Sequence, residues 1–221
     1  MGCVGATECD ARLNTHLGPG RLLMAMKILL IYGTTEGQTR KVAAFVADHL
    51  ADRGHQARVV SVGDPTAADI DPCAFDAVII AASIHRGCYQ PAVLRFLEQH
   101  PAALRARPGA FLSVSLAAAG HDPDDVQGRE ACVARLTRQT GWTPLRVHHV
   151  AGAFRYSSYS LLKRWTMKYI AYRKGAPTDT SRDHELTDWA DLARFVDAFL
   201  QEIERGRQAI GCFEARAGRS R

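Results

Sequence analysis

The chain is expected to form a doubly wound α/β domain, a five-stranded parallel sheet with helices on both faces. Three observations predict this. Five apolar runs alternate with segments of helical periodicity. The runs are apolar without alternation, so both faces of each strand must be covered. The first run also leaves through a hydroxyl-rich turn directly into a helix, the usual ligand-binding turn of such folds. A chain of 221 residues that is 47% hydrophobic and 23% charged can bury a sizeable single core and is not composed like a disordered one.

The strands are expected at 28–31 (ILLI), 57–62 (ARVVSV), 77–82 (AVIIAA), 110–116 (AFLSVSL) and 147–153 (VHHVAGA). Helical spacing places Val42, Phe45, Val46 and Leu50 on one face of 39–53. It does the same for Val93, Leu94, Leu97 and Leu104 in 91–105, and for Cys132, Val133 and Leu136 in 128–140. The clearest stripe is Trp189, Leu192, Val196, Phe199 and Ile203 in 187–204. No apolar run approaches the length of about 18 residues that would suggest a membrane span.

The domain is expected to cover 26–204, with an insertion at 155–186. Residues 1–25 carry Glu8, Asp10 and an apolar stretch of only five residues, so they read as a disordered extension or a mis-assigned start. Residues 205–221, with five arginines, read as a flexible basic tail. The six cysteines form no C-x-x-C pair, and dispersed thiols fit a reducing compartment. The net charge of +5 is modest, and no nucleic-acid partner is expected.

The turn after the first strand, 33–39 (GTTEGQT), carries the strongest chemical signal. It is neither G-x-G-x-x-G nor a Walker loop, because Gln38 follows Gly37 where a lysine would reach a β- or γ-phosphate. Thr34, Thr35 and Thr39 supply hydroxyls, Gly37 permits a tight turn, and a helix N-terminus follows. Such a loop suits one terminal phosphate held by neutral donors; a threonine-capped helix start is the alternative.

The stretch ILLIYGTTEGQTRKVA resembles the FMN phosphate loop of flavodoxins, with Glu36 where short flavodoxins often carry threonine. Two further stretches, ASIHRGCYQPAVLRFL (82–97) and AGAFRY…GAPTDT…TDW (151–189), resemble the menaquinone-dependent protoporphyrinogen oxidases of bacteria, a flavodoxin-like family acting in haem synthesis. The resemblance covers about 26–204. It implies FMN as cofactor, with Thr34, Thr35, Glu36, Gly37, Gln38 and Thr39 around its phosphate. The loop Ser83, Ile84, His85, Arg86, Gly87, Cys88 and Tyr89 would border the flavin ring, with Tyr89 or His85 placed to stack on it. The loop Ser115, Leu116, Ala117, Ala118, Ala119 and Gly120 would approach the other edge. That loop has no aromatic residue, which leaves the ring more open than in a pure electron carrier. The implied reaction is oxidation of protoporphyrinogen IX in three two-electron steps, with electrons passing to menaquinone or ubiquinone in the membrane. Arg86 is a candidate for receiving the substrate's propionates. A flavodoxin-type electron carrier and an NAD(P)H:quinone reductase are the alternative readings.

Segment 155–174 holds six cations and no acid. On a helix at about 100° per residue, Leu161, Leu162, Trp165, Tyr169 and Tyr172 share one arc, with Lys163, Arg164, Lys168 and Arg173 outside it. This is the pattern of a helix lying in an anionic membrane surface, on the side where quinone enters; a core-facing helix with a solvated basic side is the alternative. The expected location is the cytoplasm, peripherally on the inner membrane. His148 and His149 are adjacent on a strand, point to opposite faces and cannot share a metal, and no metal site is expected. Asp122, Asp124 and Asp125 around Pro123 are expected in a solvated loop, and Cys88 is expected to be inert.

Overall fold

The computed structural model describes residues 25–120, 122–154 and 184–217. Its sheet comprises β1 (Lys27–Gly33), β2 (Gln56–Ser61), β3 (Ala77–Ser83), β4 (Gly109–Ser115) and β5 (Arg146–Ala151), in the order β2-β1-β3-β4-β5. Every neighbouring pair in that sheet is parallel. Alternate residues of β1 go to opposite cores. Ile28 and Leu30 pack with Val42, Val46 and Leu50 of α1 (Gln38–Asp52) and with Leu192, Val196 and Phe199 of α5 (Trp189–Ala217). Leu29 and Ile31 pack with Val93, Phe96 and Leu97 of α2 (Pro91–Gln99) and with Cys132, Val133 and Leu136 of α4 (Pro123–Thr140). All four β1 residues are fully buried, each worth roughly 1.5–3 kcal/mol relative to exposure.

The helix expected over 91–105 is two helices, α2 and α3 (Pro101–Arg105). Pro101 disfavours helical backbone at the residue before it, and His100 sits at φ −123°, ψ 40°. Helix α4 begins five residues earlier than expected and takes in the acids assigned to a loop. Asp122 caps it by accepting from the Asp124 N–H at 3.0 Å, Pro123 occupies the first turn, and Asp124 and Asp125 lie against the positive end of the helix dipole. Strand β4 stops at Ser115, and Leu116–Ala119 forms a 3-10 turn.

Strand β5 stops at Ala151. Beyond Gly152, β6 (Ala153–Phe154) pairs antiparallel with β7 (His184–Glu185), so the two roots of the inserted segment meet. Helix α5 runs past 204, and the first part of the expected loose tail is therefore helical. Arg207 there donates to Asp76 Oδ1 at 2.6 Å. Residues 155–183, which include the expected amphipathic stretch from Leu161 to Arg173, lie outside the described residues, as do 1–24. Among the described residues, no helix is long and apolar enough to cross a membrane.

Candidate functional site

The carboxyl ends of β1, β3, β4 and β5 surround a cleft that opens to solvent. It is lined by Thr34, Thr35, Glu36, Gln38 and Thr39 after β1, by Ser83, Ile84 and His85 after β3, and by Val114, Ser115 and Leu116 at the end of β4. Gly152 and Ala153, after β5, close the remaining side. Strands β2 and β3 flank β1, so the chain leaves β1 and β3 where the strand order reverses. The ends of neighbouring strands diverge there and leave room for a ligand.

The turn after β1 is built for an anion. Thr34 Oγ1 accepts from the Gly37 N–H at 2.8 Å, which fixes the turn while leaving the threonine's own hydrogen to donate. Gly37 is the N-cap of α1 at φ 87°, a left-handed backbone that other residues rarely adopt. No side chain caps the helix, so the threonine-capped start is not what forms; the first N–H groups of α1 remain for a ligand. Thr39 is completely buried, yet its Oγ1 has no hydrogen-bond partner. Gln38 Oε1 and Ser115 Oγ are likewise buried and unpartnered. Buried polar atoms are nearly always paired, so these three give the cleft unused hydrogen-bonding capacity of the kind a polar ligand takes up.

Residues from other loops hold this cradle together. Gln90 Nε2 donates to Thr35 Oγ1 at 3.1 Å and to Ser83 Oγ, tying the β1 and β3 loops to each other. Gln38 Nε2 donates to Glu185 Oε1 at 2.8 Å and to Thr187 Oγ1 at 3.0 Å; Thr187 in turn donates to the Ala151 carbonyl at 2.6 Å. The chain returning from the inserted segment is thereby latched to the first turn of α1. Gly33 is required by close approach, because a Cβ there would stand 2.5 Å from Val93 Cγ2. Sequence reasoning missed Gln90, Gly33, Gly152, Ala153, Glu185 and Thr187 as parts of the site. Gln90 carried a faint signal as the residue just before the Pro91 that opens α2.

Several expected site residues stand elsewhere. Tyr89, expected to stack on a flavin, is only 5% exposed; its hydroxyl pairs with Ser113 Oγ at 2.8 Å and its ring meets Phe111 edge-on. Burial raises the Tyr89 phenol far above its ordinary range, so it stays protonated. His85 is the one ring among the cleft's described lining residues. Arg86, Gly87 and Cys88 form the exposed tip beyond it. Ala117, Ala118, Ala119 and Gly120 lie back from the lining, and the carbonyls of Ala117 and Gly120 accept from Arg129 Nη1 at 3.1 and 3.5 Å. His148 and His149 face opposite sides of the sheet as expected. The first stacks on Phe195 and reaches Asp191; the second meets Glu130 at 3.0 Å. Burial lowers both imidazole pKa values, which keeps the rings neutral. The described residues hold no cluster of three or more metal-ligating side chains.

Sheet order, turn chemistry and orphaned hydroxyls together define a flavodoxin-like domain with a polar cradle at its switch point. Comparison with known proteins places it more closely. The Flavodoxin domain family matches residues 29–181. The protoporphyrinogen IX dehydrogenase [quinone] of Escherichia coli strain K12 is 34% identical over 171 residues, covering 77% of this chain and 93% of that protein. The protein of the same description from Leishmania major is 30% identical, covering 78% of this chain and 74% of its own length. Among solved structures, flavodoxin 1 of Bacillus cereus aligns with 79% of this chain and 97% of its own at 14% identity and a TM-score of 0.47. The chain belongs to the Flavodoxin domain family and, within it, to the family of these quinone-dependent protoporphyrinogen IX dehydrogenases. The family binds a flavin, and the cradle fits the phosphate end of one: neutral hydroxyls, unpaired N–H groups, a left-handed glycine and no competing lysine.

Proposed function

We propose that this protein oxidises protoporphyrinogen IX to protoporphyrin IX and delivers the electrons to a membrane quinone, menaquinone or ubiquinone, with FMN as its cofactor. The observation carrying this reading is the lysine-free cradle with its unpartnered Thr39 and Ser115 hydroxyls, in a chain 34% identical to a protein of that activity. A single phosphate matches the cradle better than a diphosphate, because no lysine follows Gly37. Bound flavin supplies two-electron redox chemistry that the side chains lack.

The chain's own residues bind, orient and admit. Thr34, Thr35 and Thr39, with the first N–H groups of α1, hold the phosphate. Gln90 keeps the β1 and β3 loops at a fixed separation, so a ring spanning them has one seat. With Tyr89 withdrawn into the core and no aromatic residue in 116–120, one face of that seat is open to a bulky tetrapyrrole. The carboxylate of Glu185, held by Gln38 and Lys41, fixes the root of the inserted segment against the cradle. That segment carries the aliphatic, aromatic and basic residues Leu161, Leu162, Lys163, Arg164, Trp165, Lys168, Tyr169, Tyr172 and Arg173. Their composition supports peripheral docking on an anionic membrane, where a lipid-soluble quinone is encountered.

The test is anaerobic turnover of FMN-reconstituted protein with protoporphyrinogen IX and a quinone, read as porphyrin fluorescence. Porphyrin formation that requires both FMN and quinone is the expected result. Quinone reduction driven by NAD(P)H, with no porphyrin formed, would overturn the reading.

A further inference from the structure

The tip of the loop after β3 is a two-residue reversal. The His85 N–H donates to the Cys88 carbonyl at 2.8 Å and the Cys88 N–H to the His85 carbonyl at 3.1 Å. Between them Arg86 sits at φ 51° and Gly87 at φ 75°. Two successive left-handed residues make a type I′ turn, whose first central position favours asparagine, aspartate or glycine. Arginine has no such preference, because its Cβ crowds the following carbonyl. Arg86 is the single non-glycine residue with positive φ among those described.

Helix α4 holds the strained tip in place. The Cys132 thiol donates to the Gly87 carbonyl at 3.2 Å, and burial raises its pKa, so it keeps the proton it donates. Arg135 Nη1 lies 3.4 Å from both that carbonyl and Cys88 Sγ. The Arg86 side chain gains nothing from this arrangement. It is exposed and forms no hydrogen bond or ion pair with a described residue. Its neighbour His85 lines the cleft, which puts Arg86 at the rim. A local rule is broken here, the turn is held by Cys132 and Arg135, and the Arg86 side chain returns no hydrogen bond or ion pair among the described residues; such strain collects at functional positions.

We infer that Arg86 determines substrate specificity by receiving a carboxylate of the tetrapyrrole at the mouth of the cleft. This rests on the porphyrinogen reading above. Both protoporphyrinogen IX and its product carry two propionate side chains. The planar guanidinium offers a forked pair of N–H donors that matches a carboxylate. A free guanidinium in water binds a carboxylate weakly, but a macrocycle lying over the rim would cover the pair and strengthen it.

The test uses the FMN-loaded protein, the variant Arg86→Gly, and porphyrinogen as the free acid and as the dipropionate dimethyl ester. In Arg86→Gly the KM for the free acid rises about tenfold or more, the loss expected for a hydrogen bond to a charged group. The KM for quinone and the Kd for FMN do not change. Arg86→Lys recovers part of the loss, since charge survives without the fork. Wild type prefers acid to ester, and Arg86→Gly does not. Fluorescence titration with protoporphyrin IX, without turnover, shows the same loss of affinity. The urea midpoint of Arg86→Gly rises, because glycine relieves the turn. A KM and porphyrin Kd within twofold of wild type, or equal losses for acid and ester, would overturn the inference while leaving the porphyrinogen reading intact. Wild type that neither binds nor oxidises porphyrin would overturn both.

Discussion

Replacing Thr39 by valine separates a hydroxyl kept for a ligand from one kept for the fold. Valine preserves the branched shape and exchanges only the hydroxyl for a methyl. In wild type that hydroxyl is fully buried with no partner. Burying an unsatisfied hydroxyl costs about 1–3 kcal/mol, so the flavin-free variant should be more stable than wild type by about that amount. With FMN bound, the hydroxyl is expected to donate to a phosphate oxygen, a charge-assisted bond worth about 1.5–3 kcal/mol. Its loss corresponds to roughly ten- to hundredfold weaker binding. The two effects have opposite signs, which no purely structural role of Thr39 predicts. Urea unfolding of the apoprotein reads the first, and quenching of flavin fluorescence on titration reads the second. A destabilised apoprotein with unchanged FMN affinity would refute the reasoning, because it would make Thr39 part of the scaffold.

Three further outcomes follow from the same structure. Gly33→Ala places a Cβ 2.5 Å from Val93 Cγ2, on a β-branched side chain with little freedom to move; a loss of about 1–3 kcal/mol in unfolding free energy and weaker FMN binding are expected, and an unchanged urea midpoint would refute the close approach. Asp197 joins α5 to α1 through Arg53 and His49, and the Arg53 hydrogen bond leads the effects that hold its carboxyl below the usual range. A depressed folded pKa contributes stability above the unfolded value near 3.8 and loses it as pH falls through the folded one; the stability gap between wild type and Asp197→Asn should therefore be constant above about pH 5 and close below about pH 4. Finally, exchanging Lys163, Arg164, Lys168 and Arg173 for glutamine should lower partition onto anionic vesicles by about 1 kcal/mol per cation, roughly a thousandfold together, with no change in FMN affinity; co-sedimentation reads this, and equal binding by wild type and variant would refute membrane docking.

The sheet was legible because its inner strands, β1, β3 and β4, are covered on both faces, whereas the edge strands β2 and β5 are half-exposed. Ile28 to Ile31 have no polar alternative, and a run of that kind fits only the middle of a parallel sheet. Element ends were harder, since they turn on single residues. Pro101 splits what the apolar spacing of Val93, Leu97 and Leu104 made look continuous. Pro123, which looked like part of a loop, is the first residue of a capped helix. The cradle was visible as a string of hydroxyls after β1, because a strand, a turn and a helix start are contiguous in sequence. Its supports were not. Gln90 reaches back 55 positions to Thr35, and Glu185 reaches 147 positions to Gln38, contacts made only by the folded chain. Tyr89 shows the opposite error. Position in a loop beside the cleft suggested a stacking ring, whereas a partner 24 positions away, Ser113, draws the hydroxyl into the core.

The most direct measurement is anaerobic mixing of the FMN-loaded protein with protoporphyrinogen IX while following the flavin's visible absorbance. Bleaching on mixing and recovery of the absorbance when a quinone is added are the expected result. Flavin that binds tightly but stays oxidised in the presence of porphyrinogen would contradict it.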